Sequence, residues 1–131
     1  MGDLPPFVEK IALVMCGGSL GAASRYGISL LAARVVGTGF PWGTLAVNLI
    51  GCFLIGVVFA LIDRLRMLTP DVRLLFVTGY LGALTTFSTF SLETVSAFRA
   101  GMMIQPLANL LANNIGGLAF TFFGMWMASL K

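Results

Sequence analysis

Three stretches of this sequence, residues 41–62, 74–92 and 100–130, contain no charged side chain at all. A fourth, residues 11–33, contains one, Arg25. A helix needs about 20 apolar residues to cross the hydrocarbon core of a bilayer. Four such runs in 131 residues leave room only for short connections. Lipid cannot pair backbone polar groups, so a spanning segment must be a helix or part of a closed barrel. Runs of this length read as helices. The predicted fold is an all-α membrane protein, a single transmembrane domain over residues 1–131. Its helices are expected at about 8–33, 43–62, 73–98 and 104–130.

Composition narrows the function classes. The chain is 58% hydrophobic and 10% charged, which is not the balance of a soluble domain. No segment remains for a soluble catalytic domain, so the chain does not read as an enzyme. There is no histidine, and Cys16 and Cys52 lie inside apolar runs at no ligand spacing. That argues against a transition-metal centre and against a disulfide framework. The net charge of +3 is too diffuse for a nucleic-acid surface.

Residues 1–7, with Asp3 and Pro5-Pro6, read as a short interfacial lead. The first apolar run superficially resembles a signal peptide, with small residues at Ala22-Ala23-Ser24. It continues well past the length of a signal core, so cleavage is not expected. With four crossings, one side of the membrane holds Lys10, Arg64, Arg66, Arg73 and Lys131. The other holds Arg34 and Arg99, with Arg25 leaning towards it. A bias this weak permits insertion in both orientations.

The third run is the unusual one. Residues 79–91 read GYLGALTTFSTFS. Two glycines and two adjacent threonines weaken a helix there, so the third helix is predicted to break over residues 79–86. Beyond the break, Phe87 and Phe90 fall on one side; Thr85, Ser88 and Thr89 cover the other. Such a segment belongs inside protein or beside a polar pathway.

The other runs carry polar residues of their own. Thr44, Asn48, Gly51, Cys52 and Ile55 share one face of the second helix. An amide such as Asn48 either joins helices or faces a polar route. In the fourth helix, expected to start near Pro106, Asn109, Asn113, Gly116/Gly117, Phe120 and Gly124 mark one face. Gly17/Gly21 and Gly18/Ala22 give the first helix a close-packing face. Arg25 either snorkels towards the loop at residues 34–41 or lines an aqueous vestibule. Glu93 reads as a residue of the membrane edge, a solvated cap or an ion-pair partner. Trp42 and Trp126 suit interfacial anchors.

Within the uncharged runs there is no carboxylate, which proton-coupled cation transport generally needs. Hydroxyls, asparagine amides and a lone arginine suit a small, hard anion instead. Phenyl ring edges are electropositive and can assist, although a Phe pair taken alone reads first as core packing. Four helices barely enclose their own side chains. The polar faces therefore imply a partner, and dual insertion allows an upside-down copy, an inverted repeat made from two chains. Freed carbonyls near the midplane would then suit a cation such as Na⁺.

The pattern Gly79-x-x-Gly82-x-Leu84-Thr85-Thr86-Phe87-Ser88-Thr89-Phe90-Ser91, followed by Glu93, resembles the signature of the small bacterial fluoride channels, the Fluc or CrcB family. Trp42-Gly43-Thr44-x-x-x-Asn48-x-x-Gly51 resembles its second helix, and Gly21-Ala22-x-x-Arg25-Tyr26 its first. The resemblance covers nearly the whole chain. It implies a fluoride channel of the bacterial inner membrane that exports fluoride passively, built as an antiparallel homodimer with two pores. It implies a structural Na⁺ at the dimer centre, held by the backbone carbonyls of Gly82 and Thr85. Phe87 and Phe90 would line the pores with their ring edges, Asn48 would be the pore amide and Arg25 would lie at the vestibule. Ser88 and Thr89 match hydroxyl positions near the pore, without a choice between them. Asn113 matches a small polar pore position, whereas Asn109 stands where the family often has tyrosine. Gly82-Ala83 replaces a common Gly-Gly.

Two other readings compete. A small multidrug transporter would need a carboxylate in its first helix, and residues 11–33 have none. A non-transporting assembly subunit would account for the small-residue faces but not for the polar third run.

Overall fold

The computed structural model describes residues 5–65 and 69–130. The expectations for Asp3, Arg66 and Lys131 lie outside the described residues, as do those for the side chains of Asp63 and Arg64. Among the described residues the fold is entirely helical. Four spans are long and apolar enough to cross a membrane: Pro6–Val35, Trp42–Ile62, Pro70–Arg99 and Ile104–Ser129.

Helix α1 is Pro6–Val35. It starts at the prolines rather than after them, because the first helical position needs no N–H. It ends where the Val36 and Gly37 N–H groups bond back to the Ala32 and Ala33 carbonyls at 2.9 and 3.1 Å. Gly37 sits there at φ 93°, a conformation suited to glycine. Helix α2 is Trp42–Leu65. The third span comprises α3, residues 70–84, and α4, Phe87–Arg99. In α3, Thr69 caps the start by accepting from the Val72 N–H at 3.4 Å. Its middle, Leu74–Leu81, is wound as a wide π-helix. Helix α5, Ile104–Ser129, carries a second π segment at Ala112–Gly116.

The helices are mostly longer than the uncharged runs. Glu9, Lys10 and Arg34 continue α1, and Asp71 and Arg73 form the first turn of α3. Charge marks where a span leaves lipid, not where a helix must end. Helix α5 begins two residues before Pro106, which still lies in the first turn, where its missing N–H costs nothing.

Close packing depends on glycine at two seams. A Cβ on Gly17 or Gly21 would collide with the carbonyls of Leu75 and Tyr80, so α1 lies directly on the backbone of α3. Across the second seam, Gly56 of α2 faces the Thr121 carbonyl and Gly124 of α5 faces the Phe53 carbonyl. Backbones approach this closely only where side chains are absent. The core sits between α1, α2 and α3, where Val47, Leu81 and Leu84 are buried with Ile28, Leu54 and Tyr80 against them. Much of the outer surface is apolar, including Phe7, Leu20, Leu31, Ile115 and Phe122. Phe120 belongs to this exposed set, although its spacing put it with the small and polar face of α5.

Candidate functional site

Between α3 and α4 the backbone of Thr85 and Thr86 is extended, with ψ 157° at Thr85 and φ −150°, ψ 121° at Thr86. Helical pairing is interrupted there, and side chains take over the orphaned groups. Asn48 of α2 clamps the Thr86 peptide. Its Oδ1 accepts from the Thr86 N–H at 2.9 Å, and its Nδ2 donates to the Thr86 carbonyl at 3.2 Å. The Thr86 hydroxyl oxygen caps α4 by accepting from the Thr89 N–H at 3.1 Å. The same hydroxyl donates to Thr89 Oγ1 at 3.1 Å and lies 3.3 Å from Ser88 Oγ.

These substitutions have a consequence for two carbonyls. In an unbroken helix, the Thr86 N–H would bond to the Gly82 carbonyl and the Thr89 N–H to the Thr85 carbonyl. Both donors are engaged by side chains, so both carbonyls have lost their helical partners. Main-chain oxygens without that partner are the kind of ligand that could hold a hard monovalent cation.

A cavity of about 420 Å³ opens beside the interruption. Its polar wall includes Asn48, Thr86, Asn113 and Asn114, and its aromatic wall is Phe87 and Phe90. Gly82 and Thr85 lie on its rim. The two rings are 5.6 Å apart and tilted by 53°. Phe90 is 5% exposed, whereas Phe87 is 78% exposed. Asn113 belongs to the π segment of α5, donates to Asn109 and accepts from Asn48 at 2.8 Å. Wide π turns are rare and cluster at functional positions.

A second cavity, of about 520 Å³, lies towards the α1–α2 turn and is lined by Trp42, Thr44, Thr89, Glu93 and Gln105, among others. Glu93 corrects an expectation. Among the described residues it has no ion-pair partner; it turns inward and accepts from the Thr44 hydroxyl at 2.7 Å. Its other oxygen is buried without a hydrogen-bond partner. The third span therefore carries a carboxyl between helices, just past the end of the uncharged run.

Of the residues singled out by sequence, Asn48, Phe87, Phe90 and Asn113 meet at the first cavity, and Thr89 lines the second. Ser88 is exposed and lines neither of these two. Arg25 is half-buried on α1 and lines neither. Sequence marks Thr86 and Thr44 without these roles, as the clamped residue and as the partner of Glu93. Thr94, which accepts from Asn109 Nδ2 at 3.0 Å, carries no signal of its own. Thr94 falls one turn after Phe90 on the same helix, the only hint that its spacing offers.

Comparison with known proteins agrees with this architecture. Residues 12–125 match the family profile described as CrcB-like protein, Camphor Resistance (CrcB). A protein of Leptospira interrogans serovar Lai, named fluoride-specific ion channel FluC, is 40% identical over 121 residues, 92% of this chain and 95% of its own length. Proteins of the same name from Agrobacterium fabrum and Shewanella pealeana are 44% and 46% identical, over 88% and 81% of this chain and 93% and 85% of their own lengths. With most of its length matched by the profile and by these relatives, the chain belongs to the CrcB-like family.

Proposed function

We propose that this chain is a fluoride-specific ion channel of the bacterial inner membrane, a multi-pass protein that releases fluoride from the cytoplasm passively. The observation that carries the reading is the first cavity, which asparagine amides and two tilted phenyl rings line together beside an interrupted span. No covalent step is required. Fluoride exchanges its hydration shell for fixed donors, and a narrow polar path discriminates by how well those donors replace water. Ring edges add a weakly positive rim that tolerates an anion.

The working unit is an antiparallel homodimer with two pores, and the third span acts as a broken helix at its centre. Phe87 supports this, because a ring 78% exposed beside the cavity leaves one wall unfinished. A second copy lying head to tail closes it, as inverted repeats do within single chains. The Gly82 and Thr85 carbonyls of both copies would hold a Na⁺ ion, which supplies a fixed positive charge joining the two interruptions. Asn48, Asn113, Phe87 and Phe90 line the pore, and Thr89 lies on its continuation beside Glu93. Arg25 and the exposed Ser88 act nearer the mouths.

The test is efflux from vesicles containing the purified protein and loaded with fluoride or chloride. Rapid, voltage-driven loss of fluoride with chloride retained is expected. Retention of both ions, or equal loss of both, overturns the reading.

A further inference from the structure

Asn109 is 1% exposed, the most deeply buried of the polar residues described, and lies behind the first cavity rather than on its wall. It stands in a hydrogen-bonded series that runs in one direction. Asn48 Nδ2 donates to Asn113 Oδ1 at 2.8 Å, and Asn113 Nδ2 donates to Asn109 Oδ1 at 2.8 Å. Asn109 Nδ2 donates to Thr94 Oγ1 at 3.0 Å, and the Thr94 hydroxyl donates to the Phe90 carbonyl at 2.8 Å.

An isolated amide can turn over and exchange donor for acceptor. Here the two ends are main-chain groups that cannot. The Thr86 N–H can only donate, which fixes Asn48 Oδ1 as its acceptor. The Phe90 carbonyl can only accept, which fixes the far end. Reversing any amide between them sets two donors or two acceptors face to face. The amide oxygens of Asn48, Asn113 and Asn109 are consequently occupied by N–H groups, and none of these three is left to face the cavity; Asn114, which also lines the cavity, stands outside the series and donates to the Leu110 carbonyl at 2.7 Å. An exposed amide oxygen there would repel an anion. The most weakly held hydrogen in the series is the one that Asn48 shares with the Thr86 carbonyl at 3.2 Å, the donor most easily lent to a passing ion.

We propose that Asn109 is a positioning residue for conduction, which keeps the amide oxygens of Asn113 and Asn48 turned away from the anion path. The proposal rests on the fluoride-channel reading. Its expected size is modest, because the main-chain carbonyl of residue 109 also accepts from Asn113 Nδ2 at 3.1 Å and survives substitution. Loss of the side-chain bond is worth about fivefold, the weight of one neutral hydrogen bond.

The experiment uses the purified full chain in vesicles, reading fluoride and chloride efflux. Asn109→Leu and Thr94→Val each lower fluoride efflux about fivefold and narrow the preference for fluoride over chloride. Thr94→Ser keeps the hydroxyl and restores efflux. Because Asn109 acts through Asn113, Asn109→Leu adds no further loss in an Asn113→Ala background. The side-chain ¹⁵N resonance of Asn48 also shifts in Asn109→Leu, a readout independent of transport. Wild-type efflux from Asn109→Leu, or losses that multiply in the double variant, overturns the proposal. If Asn109→Leu does not assemble, equal efflux from Thr94→Val and Thr94→Ser overturns it. A wild-type chain that moves no fluoride refutes the channel reading instead, while the Asn48 resonance still reports on the series.

Discussion

Asn48 and Thr86 hold each other through both polar groups of one peptide: the Thr86 N–H bonds to Asn48 Oδ1 at 2.9 Å, and Asn48 Nδ2 bonds to the Thr86 carbonyl at 3.2 Å. One amide thus replaces the helical pairing that extended backbone gives up. Without it, two backbone groups would stand unpaired inside the membrane, where each costs several kcal/mol.

Replacing Asn48 by Asp separates the clamp from the pore. The carboxylate still accepts from Thr86 N–H but loses both donor bonds and places a negative charge beside the anion path. Like charges about 4 Å apart repel by roughly 4 kcal/mol at an effective dielectric of 20. Fluoride efflux from vesicles should fall by more than about tenfold, while the variant still elutes at the wild-type volume. Undiminished efflux from folded protein removes Asn48 from the pore.

Much of the architecture is legible in the sequence because charge exclusion from lipid is a strong constraint. The spacing of charged residues locates four spans, and the structure has four. What is not legible depends on neighbours from other spans. Glu93 follows an uncharged run and reads as an edge residue, yet Thr44, 49 positions earlier, draws it inward. Asn109 and Asn113 share a face by spacing, but the direction of their bonds is set by Thr86 and Phe90, which sit on another span. The π segments at Leu74–Leu81 and Ala112–Gly116 have no spacing signature: the first is largely apolar, and the asparagines of the second mark a polar face without marking a wider turn.

The two phenylalanines should part company in stability but not in transport. Phe90 is buried within the protomer, so Phe90→Ile costs about 1 kcal/mol, read as a lower melting temperature in detergent. Phe87 is mostly exposed within the protomer, so Phe87→Ile leaves the fold of each chain intact. Both variants should lose fluoride efflux. Normal efflux from both contradicts the aromatic wall.

The Thr44–Glu93 contact makes a prediction about packing. Glu93 Oε2 already lacks a partner, and Thr44→Val removes the donor to Oε1. A buried polar group left unpaired costs about 1–3 kcal/mol. Thr44→Val should therefore melt earlier than Thr44→Ser, which keeps the hydroxyl. Identical melting of the two would place Glu93 in contact with water rather than with α2.

The proposed Na⁺ site at the carbonyls of Gly82 and Thr85, which lack their i+4 N–H partners, predicts a cation dependence. Replacing Na⁺ on both sides of the membrane by a large organic cation should slow fluoride efflux and weaken the proposed dimer on a gel-filtration column, and restoring Na⁺ should reverse both. Efflux and assembly indifferent to Na⁺ contradict the proposed site.

The central claim is that two copies lie head to tail and complete each other's pathway. Its most direct test is the accessibility of a single thiol, introduced by Met103→Cys in the exposed turn between α4 and α5 after Cys16→Ala and Cys52→Ala, to a membrane-impermeant maleimide in intact inner-membrane vesicles. The account predicts that the copies divide into a labelled and a protected fraction of similar size, and that permeabilisation labels the rest. Labelling of all copies or of none before permeabilisation means that every chain faces the same way, which contradicts it.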